Sequence, residues 1–328
     1  QPVRIDLDRH LSVELPIASF QRPIRVQQKL DAANKYIEKH PGGWTTRRER
    51  AVLLALKGKI YDAIADLNWV IKRQPQQIDT LLTLSRWMQW ADLIPEAIRT
   101  LEKGLTYLPS NAWTNVFDGR IQSLQNNFVL ANQCFEQACL KAPRPICQLL
   151  LAENLMALKE WEKAAFHLRS NPMRQGKLLY QACLGQLGQF DEREQTILKL
   201  RVSNPLDHYA IALELETRLE KGFIFGEEGQ ATRTLLQSLR SSLPNSSLFM
   251  VSQIAFEASR GRPNKALEIL NKYLHSNRLT LQHLILGETW LLKLGAFDHA
   301  QRMRTLKAEL FPDPSPWQEI LFYLPWHL

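Results

Sequence analysis

Apolar residues recur along this chain three and four positions apart, in short runs separated by turn-forming residues. One run holds Ile60, Ala63, Leu67 and Val70, the next Ile94, Ala97, Leu101 and Gly104, and a third Phe128, Ala131, Phe135 and Ala138. In each, an apolar residue is followed by an alanine and then by apolar or small residues four and seven positions on. That is one face of a helix with 3.6 residues per turn. Gly58, Asp92 and Asn126 precede the three helices as turn formers, and Pro75, Pro109 and Pro143 end them.

The runs share one register. The alanines step by 97 − 63 = 34 and 131 − 97 = 34 residues, and the prolines keep the same step, 12 positions behind each alanine. A small residue (Ala51, Ser85, Gly119) stands 12 positions ahead of each. Small side chains at facing positions let two helices approach closely, so the pattern predicts a helical hairpin as the repeating unit. A period between about 20 and 50 residues marks a solenoid of stacked units. Such an architecture favours a surface that holds a partner over a pocket that transforms a substrate.

Ala131-x3-Phe135…Pro143 reproduces the A-x3-F…P half of the tetratricopeptide repeat (TPR), and the chain resembles that family over about residues 44–312. The family's tryptophan and tyrosine positions in the first helix are largely missing. The resemblance implies an all-α superhelix, a solenoid of about eight helix-turn-helix repeats with terminal capping helices. Four segments are expected: an extended stretch and capping helix over 1–43, regular repeats over 44–143, degenerate repeats over 144–312 and an aromatic C-terminal cap over 313–328.

The degenerate part departs from the pattern at named places. The fourth unit (Lys159, Trp161, Ala164, Leu168) stops early at Asn171-Pro172, and the fifth has Arg193 in place of the alanine. In the sixth, an insertion at 221–229 is expected to form a loop before Ala231, with Phe223, Ile224 and Phe225 unusually apolar for a loop. The seventh is marked by Gly261, Ala266 and Leu270. The eighth has Arg304 and Lys307 four and seven positions after Ala300, so its apolar stripe is expected to move to Met303, Leu306 and Leu310.

In TPR arrays the first helix of each unit lines the concave face, and the resemblance implies the same here. By register, one residue past the small position gives Val52, Arg86 and Arg120, and three before it gives Arg48, Leu82 and Val116. Six before gives Thr45, Asp79 and Trp113, and five after gives Leu56, Trp90 and Leu124. Arg86 and Arg120 would form a ladder, with Arg48 nearby and Trp90 and Trp113 flanking. Guanidinium forks take carboxylates bidentately, and flat rings grip extended peptide at low entropic cost. These five residues are the candidate site for an acidic or C-terminal peptide. The competing reading is a solvated face on which the arginines pair with Asp79, Asp92 or Glu96.

Charge and composition refine this only slightly. A net charge of +8 and a pI near 9.3 suit an acidic protein, a nucleic acid or an anionic membrane face. No Lys/Arg run exceeds two residues, Arg47-Arg48-Glu49-Arg50 being the nearest to a cluster, so nucleic acid is the lesser expectation. No stretch has the roughly 18 uninterrupted apolar residues of a membrane span. Peripheral membrane contact is left to the C-terminal segment with Trp317, Phe322, Tyr323 and Trp326. The opening Gln1-Pro2-Val3-Arg4 has neither an initiator Met nor the apolar core of a signal peptide; a removed preceding segment is expected, and the compartment stays unread. Cys134, Cys139, Cys147 and Cys183 form no C-x-x-C and are expected as buried, unpaired thiols. No nucleophile elbow, zinc-protease motif or phosphate-binding loop occurs, so neither catalysis nor a cofactor or metal is expected. The reading is a non-enzymatic interaction scaffold. The alternatives are a TPR module of a bacterial envelope machine, an effector-sensing module, or a basic RNA-binding surface.

Overall fold

The structure, a computed structural model, describes residues 23–56, 59–108, 112–203, 205, 207–242, 247–276 and 281–311. The segments expected as an extended N-terminal stretch and as an aromatic C-terminal cap lie outside these residues. Among the described residues there are seventeen helices in tandem and no strand.

A leading helix, α1 (Pro23–Lys39), buries Leu30, Ala33 and Ile37 and agrees with the expected capping helix. Eight hairpins follow. They are α2 (Trp44–Leu56) with α3 (Ile60–Arg73), α4 (Ile78–Trp90) with α5 (Ile94–Leu105), α6 (Ala112–Leu124) with α7 (Phe128–Lys141), and α8 (Pro145–Ala157) with α9 (Trp161–Leu168). Then come α10 (Arg174–Gln186) with α11 (Phe190–Ser203), α12 (His208–Glu220) with α13 (Gly226–Ser242), α14 (Ser247–Ser259) with α15 (Pro263–Ser276), and α16 (Leu281–Lys293) with α17 (Phe297–Leu310). The first helix of every hairpin is 13 residues long, whereas the second varies from 8 to 17.

The constancy comes from one turn used repeatedly. The residue two past the first helix has a left-handed backbone: Asp92, Asn126 and Lys159 at φ 61°, 64° and 60°, and Gly188, Gly222, Gly261 and Gly295 at 70°, 73°, 69° and 75°. Its N–H bonds back to a carbonyl near the helix end, and the next N–H reaches further back, as in Leu93 to Met88 and Ala296 to Leu291. This is the Schellman arrangement, which satisfies carbonyls a helix end would otherwise orphan. The N–H of the register alanine then closes the first turn of the second helix, as in Ala97 to Leu93 and Ala300 to Ala296.

Packing follows the register. Ala51, Ala63, Ser85, Ala97 and Ala131 are wholly buried where the two helices of a hairpin meet. A β-carbon on Gly119 would stand 2.6 Å from the Phe135 ring, and one on Gly104 would stand 2.2 Å from Phe117 of the next hairpin. Only glycine lets those rings seat.

The chain divides into two compact units after Arg193, within α11. The division falls well past residue 143, where the regular spacing ends. In the first unit, α9 is a short helix of eight residues. The buried Asn171 takes over after it, donating to the Pro145 carbonyl at 2.8 Å and accepting from the Met173 N–H at 3.0 Å. At Arg193 the missing alanine is answered 12 positions back, where Gln181 accepts from Nε at 3.2 Å.

In the second unit, Asp207 caps α12 by accepting from the N–H groups of Tyr209 and Ala210. Ile254, Ala266, Leu270, Tyr273, Leu274, Leu291 and Ala300 form an apolar cluster in it. The segment 221–229 is not all loop: residues 226–229 are helical and begin α13, a helix of 17 residues. Ala231 is exposed, and Thr232, wholly buried, occupies the alanine's place, with Leu236 and Leu239 four and seven positions on. Its hydroxyl donates to the Phe223 and Glu228 carbonyls (2.7 and 2.9 Å) and accepts from Arg218 (3.3 Å). Ile224 packs on Leu215, Leu219 and Phe256, while Phe225 is exposed. In α17 the stripe shifts only in part: Met303 and Leu306 are half-buried, but Leu310 is exposed. Arg304 and Lys307 stay at their register positions because Glu288 accepts from them at 2.7 and 2.6 Å.

Candidate partner-binding face

The expected face lies in the first unit, on α2, α4, α6 and α8. Its register columns are more closed than an open groove requires. Leu82, Val116, Asp79 and Leu124 are buried, as are Arg86 and Arg120, at 2% and 3% exposure. Arg86 meets Glu153 on α8, past the intervening α6–α7 hairpin. Nη1 donates to Oε2 at 2.8 Å, and Nη2 to Oε1 and Oε2 at 3.0 and 2.8 Å. Neither side chain of this pair has appreciable contact with solvent. Gln175 on α10 donates to the same carboxylate at 3.1 Å. Arg120 donates to Gln89 Oε1 at 3.1 Å, and Ser123 donates to Asn154, which itself donates to the Phe128 carbonyl and to Asn132.

The two arginines therefore do not present a free ladder to a ligand. A buried guanidinium needs a partner for its charge, and here an acid from two repeats away provides it. Register could have located that acid: Glu153 lies one past Ala152, itself 12 before Ala164, in the column of Arg86 and Arg120. Gln175 follows from Arg193 in the same way, in the column of Asp79 and Trp113.

Two of the remaining candidates, Arg48 and Trp113, lie nearer the surface. Arg48 is 29% exposed and donates to Asp79 at 3.0 Å, one of the ion pairs that the solvated-face reading expected. Trp113 is half-buried, with the Arg144 guanidinium over its ring at 5.4 Å. Trp90 is the last residue of α4, and its side chain is outside the described part of the structure. Arg47 and Arg50, the rest of the basic cluster, both turn to Asp66. Arg47 and Arg73 also stack on Trp69, at 4.2 and 3.7 Å. Sequence reasoning missed these contacts, although Asp66 stands three past Ala63 on a helix read only for its apolar stripe.

No protein-family profile and no curated protein sequence matches the chain. Among solved structures, it is similar to yeast Tom70 with a TM-score of 0.53 and 12% identity, over 98% of this chain and 68% of that one. It is also similar to a tetratricopeptide repeat protein from Parabacteroides merdae, with a TM-score of 0.48 and 11% identity over 76% and 98% of the two chains. At such identities the likeness concerns fold alone, and that to Tom70 agrees with the hairpin geometry above. The chain is a helical-repeat protein with the tetratricopeptide-repeat fold.

Proposed function

We propose that the chain is a non-catalytic scaffold that holds a protein or peptide segment on the first-helix face of its N-terminal repeats. Arg48, Trp113 and Trp90 make the contact, and Arg86 and Arg120 keep the face in shape from inside. One observation carries this reading: first helices of constant 13-residue length, with α4, α6, α8 and α10 laced together by buried hydrogen bonds and α2 joined to α4 through Arg48 and Asp79. A face held this rigidly loses little entropy when a partner docks. Arg48 is accessible enough for an incoming carboxylate to compete with Asp79, which gives the acidic preference its physical basis.

The test is affinity capture with the intact chain as bait, comparing wild type with an Arg48→Glu, Trp113→Ala double variant. The reading expects proteins retained by wild type to be lost from the variant, with affinity down about 10-fold or more. Equal capture by both would count against it. Retention of single-stranded RNA with a steep salt dependence would favour the nucleic-acid reading instead.

A further inference from the structure

The bend between α7 and α8 brings two cysteines together from adjacent repeats. Cys139 lies two residues before the end of α7, and Cys147 is the third residue of α8. The bend between them is only three residues long and tight: the Arg144 N–H donates to the Ala142 carbonyl at 2.8 Å, and that of Cys147 to the Arg144 carbonyl at 3.0 Å. The two thiols meet across it, within hydrogen-bonding reach of each other. Cys139 is partly exposed, whereas Cys147 is buried.

We propose that Cys139 and Cys147 form a thiol modification site that reacts with small-molecule disulfides and closes to an intramolecular disulfide joining the third repeat to the fourth. The Cys139 thiolate attacks one sulfur of a disulfide RSSR, forming a mixed disulfide and releasing RS⁻, which takes up the proton that Cys139 gave to solvent. Cys147 then attacks the Cys139 sulfur and releases the second RS⁻, while its own proton passes to the departing thiolate. Two protein thiols are oxidised and one RSSR is reduced to two RSH.

The pair differs from the other two cysteines in the features that govern this chemistry. The hydrogen bond with Cys147 holds the Cys139 thiol below its usual range, and burial and the Glu136 charge only partly offset that. The same bond raises Cys147, with burial adding to it, which suits the resolving partner rather than the first nucleophile. Burial raises Cys134, and the Asp118 charge adds to it. Cys183 is pushed by burial up to about 12 and is closed to solvent.

The experiment treats the intact, reduced chain with oxidised glutathione and maps the thiols by mass spectrometry without reduction. Cleavage after Lys141 puts Cys139 and Cys147 in different peptides, and a cut after Phe135 separates Cys134 from Cys139. The expected product is a Cys139–Cys147 cross-linked peptide, with Cys134 and Cys183 still open to alkylation after denaturation. Cys147→Ser should instead trap a glutathione adduct on Cys139, and Cys139→Ser should yield neither product. The wild-type map does not depend on how the variants fold. Glutathione on Cys134 while the pair stays reduced, a Cys139 adduct that persists in wild type, or a pair inert to the reagent would each overturn the proposal.

Discussion

Arg86 and Glu153 sit where neither charge reaches water, so each is held by the other. Removing one partner strands a buried charge, at a cost of about 3–5 kcal/mol, whereas replacing both with apolar groups of similar volume is often close to neutral. Arg86→Met should therefore destabilise the chain by that amount in denaturant unfolding. Arg86→Met combined with Glu153→Met should recover most of it, short of the bond Gln175 then loses. Equal losses in single and double variants would mean the pair does not act as a unit. Gly119→Ala drives a β-carbon into the Phe135 ring and should cost about 1–3 kcal/mol. Gly119 was legible in the sequence as the small position of its hairpin. The burial of Arg86 was not, because register puts Glu153 in its column two repeats on without saying that the two side chains turn inward to meet.

At the scale of elements, the same turn recurs with different residues. Glycine occupies the left-handed position in the later hairpins, whereas Lys159 holds it at φ 60° in the fourth. A side chain there works against the backbone, so Lys159→Gly should raise stability by up to about 1 kcal/mol, measurable as a higher melting temperature. In the last hairpin, burial raises the Glu288 carboxyl, but its bonds to Lys307 and Arg304 outweigh that and hold it below the ordinary value of 4.5. A lowered folded-state pKa gives stability above the unfolded value that disappears as pH falls through the folded one. Wild type should thus melt above Glu288→Gln at pH 7, and the gap should close as pH drops below about 4.5. The helices of the regular repeats could be read directly, because apolar spacing and turn formers agree there. The 221–229 segment could not be read so. Its extra helical turn is stabilised by hydrogen bonds to Thr232, a polar residue in the alanine's place, and apolar spacing alone misplaced the marker at Ala231.

At the scale of the molecule, the hairpin array was legible because one period governs most of the chain, and tandem repeats make stability a sum of neighbouring interfaces. Where partners bind was harder to read, since a register column says which residues align and not which remain open to solvent. Arg86 and Arg120 share a column yet are turned inward, while Arg48 and Trp113 stay nearer the surface. The laced first helices should make Arg86→Met act within its own unit: amide exchange should speed up in α4, α6 and α8 and stay unchanged in α14 to α17. The most direct test of the central claim is quantitative partner capture by three forms of the intact chain: wild type, Arg48→Glu with Trp113→Ala, and Arg86→Met with Glu153→Met. The account predicts that the third form captures as wild type does and the second falls about 10-fold or more. Loss of capture in the third form with an unchanged helical spectrum, while the second captures normally, would contradict it.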